Sequence, residues 1–173
     1  NITHGQFGTI YAISTICSSL VLVWFGKKID EFRIFHYSLV VVFLLFLSCF
    51  IFSMITNIYL LIIALFLMRF SGQGLMSHTS TTTISRYFNE RRGKALSAIW
   101  FGLSSAEFIL PIIIIFSLSI ISWKTVWQLI SLFVIFFLPF VVYNTVREIN
   151  SESRENNQNE LSSYKIKNIK QWK

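Results

Sequence analysis

Charge is what this chain has least of. Asp, Glu, Lys and Arg make up 13% of its 173 residues, where a soluble domain carries roughly a quarter. Apolar residues make up 54%, with eighteen Phe among them. That balance excludes a water-soluble globular domain and leaves a polytopic membrane protein. Cysteine is scarce as well: Cys17 and Cys49 each sit in an apolar run, with no CxxC and no metal-ligand spacing, and read as small core residues. The chain has no HExxH, GxSxG, paired-aspartate motif or phosphate loop. Its polar residues run along helices instead of gathering at a membrane face, so an enzyme is not expected, nor a cofactor or metal site. No basic n-region or small-residue cleavage site accompanies the first apolar segment, and the first residue is Asn1. The expectation is a numbering that begins inside a longer protein.

The one abundance in charge is its sign. Fifteen Lys and Arg give a net charge of +7. They fall in short loops and the tail instead of along one helix face, so they do not predict nucleic-acid binding. Membrane topology explains them better. Lys27, Lys28 and Arg33 lie in the first loop, Arg86, Arg91, Arg92 and Lys94 in the third, and Arg147 after the last apolar run, while the alternate loops hold only Lys124. By the positive-inside rule the first and third loops and the C-terminal tail are cytoplasmic and Asn1 is outside.

A helix needs ~20 apolar residues to cross ~30 Å of hydrocarbon. Five stretches qualify: 6–25, 35–55, 58–85, 95–121 and 126–146. The fold class is therefore an all-α transmembrane bundle over residues 1–146, its neighbouring helices antiparallel because the loops are short. Pro111 and Pro139 are expected to kink the last two helices. Residues 147–173 turn polar and read as a cytoplasmic linker. Within it Ile166, Ile169 and Trp172 stand among four lysines, as a disordered basic tail or a short helix lying on an anionic leaflet.

Two charged residues fall deep in these spans, Arg69 and Glu107. Burying a charge at the bilayer centre costs at least ~2.5 kcal/mol, so such a residue is kept where it meets a partner or a wet cavity. Counting from the basic loops puts Arg69 roughly 25 Å and Glu107 roughly 20 Å from the cytoplasmic side. They could pair structurally, or handle substrate and protons. At α-helical phase Gln73, Ser77 and Ser80 share the face of Arg69, and His78 lies on the opposite side, either packing against another helix or relaying protons. Ser71, Gly72 and Gly74 would let a neighbouring backbone approach. The hydroxyls of Ser80, Thr81, Thr82 and Thr83 could line a cavity or bond back to their own helix.

Compact loop patterns complete the picture: Gly26-Lys27-Lys28-Ile29-Asp30 closes the first helix, and Arg86 through Lys94 joins the third to the fourth. At these residues the chain resembles the major facilitator superfamily of secondary transporters. Gly26-x-x-x-Asp30 is similar to that family's signature loop between its second and third helices, although Glu31, Phe32 and Arg33 follow where the family places basic residues and a glycine. Arg69 with Gly72 and Gly74 resembles its fourth-helix motif. The run ArgTyrPhe to ArgArgGlyLysAla resembles the next loop, and Gly102 to Pro111 with Ser122-Trp123-Lys124 resembles the fifth helix and its outer turn in bacterial members.

The resemblance implies five helices equivalent to the second through sixth of a twelve-helix fold, with the first helix and the second half lying outside this chain. It further implies transport of a small organic solute by alternating access around a midplane site, with protons as coupling ion, in the bacterial inner membrane. Arg69, Gln73, Ser77 and Glu107 would line the substrate and proton pathway. Gly26, Asp30, Arg86, Arg91 and Arg92 would form a conformational loop. Asp30 would accept hydrogen bonds from a helix N-terminus of the other half, and Glu107, desolvated, would load and release a proton. Efflux of hydrophobic compounds is the alternative within transport. A non-transporting scaffold or receptor on the same fold is the alternative outside it.

Overall fold

The computed structural model describes residues 3–87 and 92–171, with side chains described over 3–29, 31–87 and 92–147. Thr3 opens the first helix with a reciprocal cap: its hydroxyl accepts from Gln6 N at 3.3 Å and Gln6 Oε1 accepts from Thr3 N at 3.0 Å. Two donors that a helix start leaves unmet are thereby satisfied. Helix α1 spans His4–Lys27 and runs into a single tight turn, Lys28–Asp30. Helix α2 spans Ile34–Ser53. Asn57 caps α3, Ile58–Met68, by accepting from Leu60 N at 2.9 Å. The chain continues from α3 through Arg69–Met76 into α4, Ser77–Tyr87, without leaving the helical path. Helix α5 spans Arg92–Ile120 and α6 spans Trp123–Gln171.

Among the described residues, five stretches are long and apolar enough to cross a membrane: His4–Lys27, Ile34–Ser53, Ile58–Tyr87, Arg92–Ile120 and Trp123–Arg147. They match the five predicted spans to within a few residues. Helix α6 does not stop at Val146, where the sequence predicts an unordered linker. Its backbone stays helical to Gln171, through a stretch that contains neither Pro nor Gly and many residues of good helix propensity.

A further difference lies inside the third span. Residues Arg69–Met76 form a π-helix, with each turn closed by i→i+5 hydrogen bonds. Gly72, Gly74 and Ser71 weaken the preference for the tighter α turn there. A phase count at 100° per residue does not anticipate this, and everything beyond Met76 is rotated relative to Arg69.

Between membrane helices the hydrophobic effect gives no drive to associate, so close packing and hydrogen bonds hold the bundle. The core accordingly forms where side chains interlock: Ile29, Tyr37, Val41, Phe70 and Leu75 are buried together, with Leu22 and Leu44 against them. Tyr37 Oη donates to Phe25 O at 3.0 Å, tying α2 to the last turn of α1. Helix α2 packs most extensively on α6. Phe52 meets Trp123 and Trp127 at 5.2 and 4.6 Å between centroids, and Phe35 meets Tyr143 at 6.4 Å. These contacts set the two helices antiparallel. The buried hydroxyls of Ser48, Ser53 and Ser71 donate to carbonyls of their own helices, each at 2.7 Å. Helix α5 stands at the edge, with none of its described residues buried.

Candidate functional site

Arg69 is the first residue of the π segment, and two neighbours engage its side chain. Tyr11 of α1 lies with its ring centroid 4.2 Å from the guanidinium carbon, a cation–π contact. Gln73 Oε1 accepts from Arg69 Nη1. The guanidinium Nε is buried and has no hydrogen-bond partner. A cationic donor withdrawn from water and left unmet is costly. Tyr11 is 37% exposed and Gln73 is exposed, so the group borders an open face of the bundle.

Phe70, next in sequence, turns the other way into the core, edge-on to Phe25 at 5.3 Å and stacked on Phe66 at 5.9 Å. Small residues admit the neighbouring helices. A Cβ on Gly72 would lie 3.3 Å from Leu45 Cδ1 of α2, and one on Gly74 would lie 3.3 Å from Leu22 Cδ1 of α1. The partners at these glycines are leucine methyls, where the sequence predicts a neighbouring backbone. Ser71, next to Gly72 in sequence, is fully buried.

The π segment redistributes the residues that α-helical phase would gather beside Arg69. His78, predicted on the opposite side, faces α1 as Arg69 does: its ring lies over Gly26, with Nε2 3.4 Å from where a Cβ would stand. Its Nδ1 is buried and unpartnered. Ser80, predicted to share the face of Arg69, instead lines a cavity of about 420 Å³ with Ser38 of α2, Ile99 of α5 and Leu138 and Val142 of α6. Ser80, Thr81 and Thr83 all donate to carbonyls of their own helix, at 3.0, 2.9 and 2.7 Å. Ser77 is partly buried at the junction where α4 begins.

Arg69 and Glu107 do not come together. Glu107 is exposed on α5, whose neighbours are α4 and α6, while Arg69 looks toward α1. Similar depth is not adjacency, and no ion pair joins them among the described residues. At the basic end, Gly26 is buried under His78 and Ile29 is 1% exposed, anchoring the turn in the core. Lys28 Nζ sits 5.6 Å from the centre of the Phe25 ring. Asp30 ends that turn, and its side chain lies outside the described residues. Arg86 is exposed in the last turn of α4 and Arg92 is exposed at the start of α5, while Arg91 lies outside the described residues.

Sequence reasoning missed Tyr11 and Tyr37. Tyr11 had a signal: counted from Lys27 it lies roughly 24 Å from the basic end, the same depth as Arg69. The model of one known family, described as Major Facilitator Superfamily, matches residues 1–173. No curated protein and no solved structure matches the chain.

Proposed function

The chain belongs to the major facilitator superfamily and is an integral membrane protein of a membrane-transporter family, and we propose that it serves the secondary active transport of a small organic anion. The observation that carries this reading is the Arg69 guanidinium, clasped by Tyr11 and Gln73 with a buried donor unmet. A fixed cation at that depth is costly unless an anion or a wet cavity offsets it. The five helices take the places of the second through sixth of the twelve-helix fold, and alternating access moves the two halves about the Arg69 level.

Protons are the coupling ion in this reading. Glu107 is the one acidic residue within the five spans, and its exposed position on α5 leaves it open to a partner from outside this bundle. The loop Gly26 to Asp30 acts as the conformational latch, together with Arg86, Arg91 and Arg92 of the later basic loop. Asp30 accepts hydrogen bonds at a helix N-terminus in one state and releases them in the other. The basic loops and the C-terminal tail face the cytoplasm.

Substrate uptake into vesicles holding the complete transporter tests the reading. Arg69→Ala is expected to abolish binding of the transported anion, and Arg69→Lys to retain part of it, since a lysine keeps the charge without the flat fork. Unchanged anion affinity in Arg69→Ala would make the arginine structural. The apolar-walled cavity around Ser80 favours a second reading, export of hydrophobic compounds. Transport of lipophilic cations that survives Arg69→Ala and falls with Leu138→Trp would select it.

A further inference from the structure

The cavity that Ser80 lines holds about 420 Å³ and lies among α2, α4, α5 and α6. Its walls run from Met76 to Ile84 along the third span and from Leu138 to Val146 along α6. Each wall spans ~12 Å of helix axis, close to the ~15 Å that one leaflet contributes to the hydrocarbon core. A hydroxyl has one hydrogen to give. Thr79, Ser80 and Thr83 give theirs to Leu75 O, Met76 O and Thr79 O, so α4 keeps no hydroxyl donor for a polar solute. Helix α5 meets this space at Ile99 and buries none of its described residues.

One end of the cavity is basic. Arg33 directly precedes Ile34 and Arg147 directly follows Val146, both arginines are exposed, and Phe35 meets Tyr143 between the same two helix ends. Arg92 and Lys94 are exposed in the first turn of α5, ahead of Ile99. Glu31 is the one acidic side chain described at that end. Neither α2 nor α5 has an acid in its first turn, so cations stand where the helix dipole favours anions. The mouth therefore attracts negative charge.

We propose that this cavity binds an anionic phospholipid from the leaflet at the basic end. One acyl chain enters past α5 and lies between α4 and α6, while the phosphate stays at the level of Arg33, Lys94 and Arg147. A lipid tail already sits in hydrocarbon, so the chain gains packing and not the hydrophobic effect. Selection among lipids falls to the headgroup, and basic pockets between membrane helices hold anionic ones. A zwitterionic headgroup cancels much of its own phosphate charge and gains less at this rim. The inference does not rest on the reading of Arg69, which looks toward α1. It gives the cavity to a resident lipid, where a lipophilic cation meets repulsion at the mouth.

The test is native mass spectrometry of the complete transporter, released from nanodiscs holding equal amounts of phosphatidylglycerol and phosphatidylcholine with the same acyl chains. The wild type is expected to retain phosphatidylglycerol over phosphatidylcholine by about tenfold or more. Arg33→Gln combined with Arg147→Gln is expected to bring that preference to within about threefold. Val142→Trp, which puts an indole into the space, is expected to remove the retained lipid while the protein stays monodisperse and helical. The charge variant leaves the cavity walls untouched, so it decides the matter even where the tryptophan is not accommodated. Equal retention of the two lipids by the wild type overturns the proposal, as does a charge variant that keeps the wild-type preference. Lipid held at the wild-type level by a folded Val142→Trp protein overturns it as well, and leaves the cavity to another occupant such as a helix preceding this chain. Displacement of phosphatidylglycerol by tetraphenylphosphonium that the transporter then carries across the membrane would overturn it in favour of export.

Discussion

A single arginine carries the proposed chemistry of this molecule because the membrane makes it expensive. Its cost is legible in the sequence, since Arg69 interrupts an apolar run, but its company is not. Tyr11 stands in a chain with eighteen Phe and six Tyr, so one more aromatic on a membrane helix gives no contrast, and only tertiary packing sets it against the guanidinium. Glu107 shows the reverse error: its charge stands out, yet a depth within about one helical turn of Arg69 does not put it next to that residue. The coupling role is testable with Glu107→Gln, which is expected to abolish proton-driven accumulation while leaving substrate counterflow in place. Accumulation at the wild-type level in that variant would remove the glutamate from coupling. At the same scale, Tyr37 donates its hydroxyl to Phe25 O. Such bonds between membrane helices average about 0.6 kcal/mol, so Tyr37→Phe is expected to lower stability by about that much in a reversible unfolding titration, and a loss above about 2 kcal/mol would mean that more than the bond was removed.

The elements were more legible than the contacts between them. Span positions follow from bilayer thickness and side-chain hydropathy, two quantities that the sequence carries directly, and the bounds agree to within a few residues. The π segment escapes this reasoning because a phase count assumes the α turn before it begins. Arg69–Met76 has the wider turn, and the consequence is an exchange: His78 joins the side facing α1, and Ser80 leaves it. Packing at Gly74 depends on that geometry, with Leu22 3.3 Å from an added Cβ. Gly74→Ala asks the flexible end of a leucine to give slightly and is expected to be mild. Gly74→Val brings more atoms into a closed contact and is expected to cost about 1–3 kcal/mol. Leu22→Ala in the same chain should recover part of that loss, with a coupling of about 0.5 kcal/mol or more. Strictly additive effects would separate the two residues.

Across the whole molecule, the asymmetry of charge between the two ends is the strongest guide to orientation. Cysteines placed singly at Lys28 and at Thr56, in a variant lacking Cys17 and Cys49, are expected to label from opposite sides of the membrane with an impermeant maleimide, the Thr56 site from outside. Labelling of Lys28→Cys from outside in intact cells would invert the topology. Family membership rests on motifs spread along the chain, and for that reason it was legible before any coordinates. Substrate class depends on a few side chains facing one another, which no single stretch of sequence contains.

The seam between α2 and α6 has a consequence for biosynthesis. At roughly 5–20 residues per second on the ribosome, α6 is complete several seconds after α2 has entered the bilayer, so α2 waits there without its main partner. Ser48 and Ser53, two buried polar residues of α2, already donate to their own helix at 2.7 Å, which lowers the cost of that wait. The aromatic contacts of Phe52 with Trp123 and Trp127 then form last, joining a helix made early to one made late.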